Sequence, residues 1–280
     1  MILLEGGNIF KDGEDHDITR RIDKAEVPGT IKWLEGITGL DFTKDLDDTG
    51  HPVKWLGTVG RVTTSGDLDL SVDEREISKE QLVHLLMAWC LKNGVAKDDV
   101  LNKAKNKMMG AKKDGWIQLT GNSVHFRTPI LGDASKGFVQ TDFMFTGDPK
   151  YQQWAMRGGK EGSKFKGAHR HQLLAGLAKA VNPNWMYSPT QGLVDRTTKE
   201  VLTNDPNKMA KMLLGNAANM NDLASVDSIL EKLKGHHEFD RLTQEFKGTL
   251  ARDPNGPQLE SVNMELGTPH WFRHMMDRFS

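Results

Sequence analysis

The chain has 280 residues, 37% of them hydrophobic and 27% charged, with a formal net charge of −1 at pH 7. That length accommodates a catalytic domain with an appendage, but the near-neutral charge gives no basic excess of the kind that holds duplex nucleic acid nonspecifically. No stretch approaches the roughly 20 apolar residues of a membrane span, and the one cysteine, Cys90, excludes an internal disulfide and Cys-rich zinc sites.

The opening residues, Met1 to Gly6, turn acidic too early for a signal peptide, and with a lone cysteine a cytoplasmic location is expected. Residues 1–25 read as an irregular or hairpin-like lead-in. Pro28 opens a helix carrying Ile31, Trp33, Leu34 and Ile37 and closing near Gly39. Residues 41–52 are polar and loop-like. Residues 53–56 and 67–72 read as short strands.

Ser78-Lys79-Glu80-Gln81 is a capping box, with Ile77 and Leu82 spaced as a hydrophobic staple. The helix it starts runs to about Lys92, with Gly94 as its C-terminal cap. Cys90 lies in it among Leu85, Leu86, Trp89 and Leu91, as a buried small hydrophobe rather than a nucleophile. A polar helix is expected over 98–109. Residues 116–120 and 123–128 form a hairpin across Gly121-Asn122. Residues 139–145 are the clearest strand, with Phe143 and Phe145 on one face and Asp142 on the other.

Beyond this point the pattern turns helical. A Gly/Lys-rich loop over 157–167 leads into a helix over 169–181 with Leu173, Leu174, Leu177 and Ala178 as its apolar stripe. Asp205-Pro206 begins another, ending at Gly215. Two or three further helices are expected after that. Strands with helices come first and helices alone follow, which defines an α+β fold: a mixed sheet with helices on one face, then a helical subdomain.

The chemistry concentrates between Leu56 and Leu70. Asp67 and Asp69, at i and i+2 on a strand, share one face, while Leu68, Leu70 and Val72 take the other. Two carboxylates so placed repel unless cations sit between them. Mg²⁺ takes one or two carboxylates together with phosphate oxygens and water, which suits such a strand edge. Upstream, Gly57 and Thr58 allow backbone amides to approach phosphate oxygens, and Arg61 adds charge where pyrophosphate would leave. Asp73 reads as a solvated strand end and Asp148-Pro149 as a turn.

The pattern hydrophobic-Gly57-Thr58, a short gap, then Asp67-Leu68-Asp69-Leu70 resembles the polymerase-beta-type nucleotidyltransferase superfamily. Ser65-Gly66-Asp67-Leu68-Asp69 is most similar to the palm of family X DNA polymerases. Gln140-Thr141-Asp142-Phe143-Met144-Phe145 matches in type and order the later strand that carries the superfamily's third carboxylate. Gly162-Ser163 before the 169–181 helix, and Gln191 to Arg196 before the helix ending at Gly215, resemble parts of the thumb. Thr58 stands where the family usually has Ser.

The resemblance covers about residues 50–215. It implies a palm-like nucleotidyltransferase core over 51–150 and a thumb-like helical segment over 151–215. Residues 1–50 would precede these and a helical extension, 216–280, would follow.

By this resemblance Asp67, Asp69 and Asp142 are the catalytic residues and hold two Mg²⁺ ions, for which Mn²⁺ can substitute. The implied reaction is transfer of a nucleoside monophosphate from an NTP or dNTP to an acceptor hydroxyl, with a nucleic-acid 3′ end favoured as acceptor. Gly57, Thr58, Arg61, Ser65 and Gly66 would bind the nucleotide. The basic run Lys160, Lys164, Lys166 and Arg170 reads either as a clamp on triphosphate or acceptor or as a solvated loop, and His169 as a phosphate or base contact. His270 and His274 have metal-like spacing but lack a third ligand, so zinc is not implied. Trp154, Trp185 and Trp271 read as core. Two alternatives stand beside the enzyme: an inactive nucleotidyltransferase fold serving as a binding module, and a toxin-like transferase acting on RNA or protein.

Overall fold

Alternating apolar and polar residues in four strands of the chain build the sheet that carries the clustered aspartates. The computed structural model describes residues 9–12, 14, 16–101, 115–156 and 167–234. The chain divides into two units, Met1–Gln153 and Trp154–Ser280.

The first unit contains β1 (Ile22–Asp23), α1 (Val27–Thr38), β2 (Thr64–Ser65), β3 (Asp67–Asp73), α2 (Lys79–Lys92), α3 (Lys97–Val100), β4 (Ile117–Thr120), β5 (Ser123–Pro129), β6 (Phe138–Thr146) and the start of α4 (Pro149–Ala155), whose Trp154 and Ala155 belong to the second unit. The main sheet has the order β3-β6-β5-β4. β3 and β6 run parallel, and the other pairs are antiparallel. Leu68, Leu70 and Val72 of β3 share a core with Val124 and Phe126 of β5, Val139, Phe143 and Phe145 of β6, and buried residues of α1 and α2. Burial of each large apolar side chain contributes roughly 1.5–3 kcal/mol. A one-residue slip of β3 would exchange Leu68 and Leu70 for aspartates, so this face fixes the register.

Local signals set the element ends. In α1 the buried residues Val27, Thr30, Ile31, Leu34 and Thr38 form a helical stripe, and Gly39 ends it in the left-handed conformation, φ +72°. Ser78 and Gln81 complete the capping box of α2. At its other end Gly94 N–H reaches Leu91 O and Val95 N–H reaches Cys90 O, a Schellman closure. Cys90 is fully buried, and burial pushes its thiol up to about 12. Thr120 and Ser123 pair directly across Gly121-Asn122, as the turn sequence predicts.

Several expectations for this unit are corrected or refined. Residues 53–56 form a turn rather than a strand. It is pinned to β3 by Ser71 N–H to Lys54 O and Leu56 N–H to Asp69 O, with one bridge between Trp55 and Leu70. Gly57 (φ +56°) and Gly60 (φ +67°) reverse the chain before a ladder can grow. Asp73 is not a solvated end: it is 7% exposed and forms an ion pair with Arg75, whose guanidinium holds the Asp73 carboxyl below its usual range. Asp148 caps α4 by accepting Tyr151 N–H. The helix expected over 98–109 is corrected where it is described: α3 ends at Val100 and Leu101 is extended and bridges Ile117, while residues 102–109 lie outside the described residues. In the lead-in Lys11 bridges Asp17 antiparallel and Ile18 N–H reaches Phe10 O, and the chain then pairs into the unit as β1 against β2.

The second unit contains α5 (Gly167–Val181), β7 (Trp185–Ser188), β8 (Gly192–Asp195), β9 (Val201–Thr203), α6 (Pro206–Leu214) and α7 (Val226–Lys234). Helices alone were expected here, but β7, β8 and β9 form an antiparallel three-stranded sheet. Its strands are three or four residues long, too short to show a clear period-2 pattern. Gly192 makes the sheet possible: at φ +92°, a Cβ there would fall 2.2 Å from Thr203 O. Asp205 caps α6 by accepting from Asn207 N–H and Lys208 N–H, and Gly215 ends it. Residues 235–280, with His270, Trp271 and His274, lie outside the described residues. Among the described residues no helix is long and apolar enough to cross a membrane.

Candidate metal and nucleotide site

The strand register brings polar side chains together on the sheet face opposite the core. Asp69 on β3 pairs with Asp142 on β6, Asp142 with His125 on β5, and His125 with Gln118 on β4. In the next row Asp67 pairs with Gln140, and Gln140 with Arg127. Register partners point the same way, so these side chains form two adjacent polar rows.

The aspartates converge as a result. Asp67, Asp69 and Asp142 each offer a carboxylate oxygen within 4.8 Å of the others, and all three are half-buried. Among the described residues this is the one group of three or more acidic, His or Cys side chains that close. Three hard oxygen donors on a partly open face suit a divalent cation such as Mg²⁺ better than a soft metal. Backbone approaches the same place: a Cβ at Gly57 would lie 2.9 Å from Asp69 Oδ2.

The two loops read from the sequence as nucleotide-binding are tied to each other. Ser65, 1% exposed, donates to Thr58 O at 3.2 Å, and Thr58 Oγ1 donates to Ser65 Oγ at 3.3 Å. Gly57-Thr58 and Ser65-Gly66 therefore stand together where the chain enters β3. Arg61 lies in the turn between them, its N–H bonded to Thr58 O, and its guanidinium donates to Asp47 Oδ2 at 3.3 Å. Burial opposes ionisation of Asp47, but donors from Thr49, His51 and Arg61 overcome it and hold the carboxyl well below its usual range. The charge on Arg61 is thus balanced by a carboxylate.

Of the remaining candidates, Lys166 lies outside the described residues, and His169 is the third residue of α5. Arg170 is corrected. It is 1% exposed, and its guanidinium donates to Leu223 O, Trp154 O and Ala155 O at 2.7–3.0 Å. It also stacks 4.3 Å from the centroid of Trp154. A cation so committed is structural rather than a surface clamp for triphosphate.

Four site-face or site-edge residues escaped the sequence reading. His125 and Gln140 both contact Asp142. Gln140 was discoverable, because i−2 on a strand shares the face of Asp142. His125 required the β5–β6 register, which local sequence does not encode. Arg127 stacks over Phe138 at 4.1 Å and Trp116 at 4.9 Å. Arg21, next to β1, bonds Thr64 through Nε and Nη2, while Nη1 lies 3.3 Å from where a Gly66 Cβ would be. No motif marks it.

Comparison with protein-family models, with curated proteins and with solved structures finds no match to this chain.

Proposed function

We propose that the chain is a metal-dependent nucleotidyltransferase with a polymerase-beta-type palm. It transfers a nucleoside monophosphate from an NTP or dNTP to an acceptor hydroxyl, foremost a nucleic-acid 3′ end. The observation that carries this reading is the convergence of Asp67 and Asp69 with Asp142 from the parallel neighbouring strand. Asp67, Asp69 and Asp142 would hold two Mg²⁺ ions or Mn²⁺ in their place. When bound, such ions neutralise triphosphate charge and stabilise attacking and leaving oxygens.

The protein's own groups supply position and charge. The backbone at Gly57-Thr58 and Ser65-Gly66 receives phosphate oxygens, Gly57 leaving the space that a side chain would fill. Arg21 adds positive charge at the edge of those loops, while Arg61 is paired with Asp47. The acceptor oxygen bonds to the α-phosphorus, the bond to the bridging oxygen breaks, and pyrophosphate departs. The attacking hydroxyl gives up its proton to water. No covalent enzyme intermediate is needed, so orientation and charge neutralisation account for the catalysis.

The test is incubation with each α-labelled ribo- and deoxyribonucleoside triphosphate, Mg²⁺ or Mn²⁺, and RNA, DNA or protein as acceptor. Label should enter nucleic acid and disappear with Asp67→Asn, Asp69→Asn or Asp142→Asn. Absence of label from every acceptor, together with absence of nucleotide binding, overturns the reading.

A further inference from the structure

Asp142 is held from two sides. His125 Nδ1 lies 2.7 Å from its Oδ1, and Gln140 Nε2 lies 3.0 Å from Oδ1 and 3.2 Å from Oδ2. An ionised carboxylate only accepts, so both neighbours donate, His125 to Oδ1 and Gln140 to Oδ1 with a longer contact to Oδ2. The Gln140 amide cannot turn round. Its Oε1 accepts Ile9 N–H at 3.0 Å, which directs Nε2 toward Asp142. Gln140 is 4% exposed, and a buried amide is costly to leave unpaired, so that orientation is locked. The sheet places His125 beside Asp142, as its direct register partner.

We propose that His125 and Gln140 are positioning residues that hold Asp142 Oδ1 with two donors and leave Oδ2, which takes only the longer Gln140 contact, as the oxygen offered to a divalent cation. This rests on Asp142 being a metal ligand. A carboxylate restrained in this way binds through a single oxygen. Mg²⁺ and Mn²⁺ accept such a ligand in an octahedral shell, whereas Ca²⁺ is readily bound by both oxygens at once. The restraint therefore favours the smaller ions, and a link runs from Ile9 in the lead-in through Gln140 to the site.

The test uses the full chain and measures free Mn²⁺ by electron paramagnetic resonance, with Ca²⁺ as competitor. His125→Phe fills the ring's place without a donor, and His125→Asn keeps an amide N–H near the position of Nδ1. Mn²⁺ affinity should fall about tenfold or more in His125→Phe, with a smaller change for Ca²⁺, and His125→Asn should restore most of the loss. Unchanged Mn²⁺ affinity in folded His125→Phe overturns the proposal. Equal weakening in the Asn and Phe variants assigns the effect to packing and also overturns it. If His125→Phe does not fold, Gln140→Met is judged by the same criterion. Mn²⁺ binding in the wild type that is absent, or unmoved by Asp142→Asn, removes the metal reading itself along with this inference. Loss with Asp142→Asn but not with His125→Phe removes the inference alone.

Discussion

Gly57 lies directly against Asp69: a Cβ on the glycine would fall 2.9 Å from Asp69 Oδ2, and the glycine holds φ at +56°. Gly57→Ala therefore carries two separate costs. The left-handed backbone strains an alanine by roughly 1–2 kcal/mol, a fall in melting temperature of a few degrees for a chain this size. The methyl group also displaces the Asp69 carboxylate, so affinity for Mg²⁺ with a triphosphate should fall further than stability explains. Gly36, on α1 with open space around it, is the control. Gly36→Ala should stabilise by roughly 0.5–1 kcal/mol through helix propensity alone. Calorimetric titration of both variants separates the effects, and wild-type nucleotide affinity in Gly57→Ala would remove the cradle from the mechanism.

His171 makes stability depend on pH in the second unit. Burial pushes its imidazole down to about 4 from 6.5, with Arg170 adding to the shift and the bond to Ala155 O opposing it. The unfolded chain takes up a proton below about pH 6.5 while the folded one stays neutral. Stability is thus complete above that pH and declines as pH falls, by roughly 2 kcal/mol at about pH 5, until the folded group itself protonates near 4. His171→Gln keeps a donor for Ala155 and does not titrate. Its melting temperature should change less than the wild type's between about pH 7.5 and about pH 5. Parallel curves for the two proteins would mean that His171 is not the proton-linked group.

The parts of the fold legible in the sequence are those encoded by contiguous residues. The Ser78–Gln81 capping box, the Gly121-Asn122 turn, the Asp205-Pro206 helix start and the alternation around Asp142 each need only a few neighbours, and each has its counterpart in the structure. Pairing between distant segments leaves no such local trace. The Lys54–Leu56 contact with β3, the β7-β8-β9 sheet and the His125–Asp142 pair all depend on it. The three aspartates were readable because alternation places each on a polar face. Arg170 misled because a basic run suggests solvent, whereas three backbone carbonyls at the end of α4 and near α7 draw this one arginine inward.

Arg170 accordingly tests stability rather than nucleotide binding. Arg170→Met would leave the carbonyls of Trp154, Ala155 and Leu223 without the donors they now have from the guanidinium. Hydrogen bonds to charged groups contribute roughly 1.5–3 kcal/mol each, so a loss of about 3 kcal/mol or more is expected. Denaturant unfolding measures it. A variant of wild-type stability with weakened triphosphate binding would restore the clamp reading.

The carboxylate cluster itself distinguishes an enzyme from a relic without knowledge of the acceptor. Three aspartates with oxygens within 4.8 Å of one another repel in the metal-free protein. Mg²⁺ with a triphosphate should therefore raise the melting temperature beyond either ligand alone. At a ligand concentration about a hundredfold over the dissociation constant, linkage gives roughly 2.7 kcal/mol. For a chain of this size that is a shift on the order of 5 °C. Asp69→Asn relieves one repulsion, so its metal-free form should melt at the wild-type temperature or above, while its response to Mg²⁺ and triphosphate largely disappears. Melting across the four ribo- and four deoxyribonucleotides would also show which sugar the site prefers. If no nucleotide shifts the wild-type curve with Mg²⁺ or Mn²⁺, the clustered charge serves no triphosphate, and the fold is better read as a binding module.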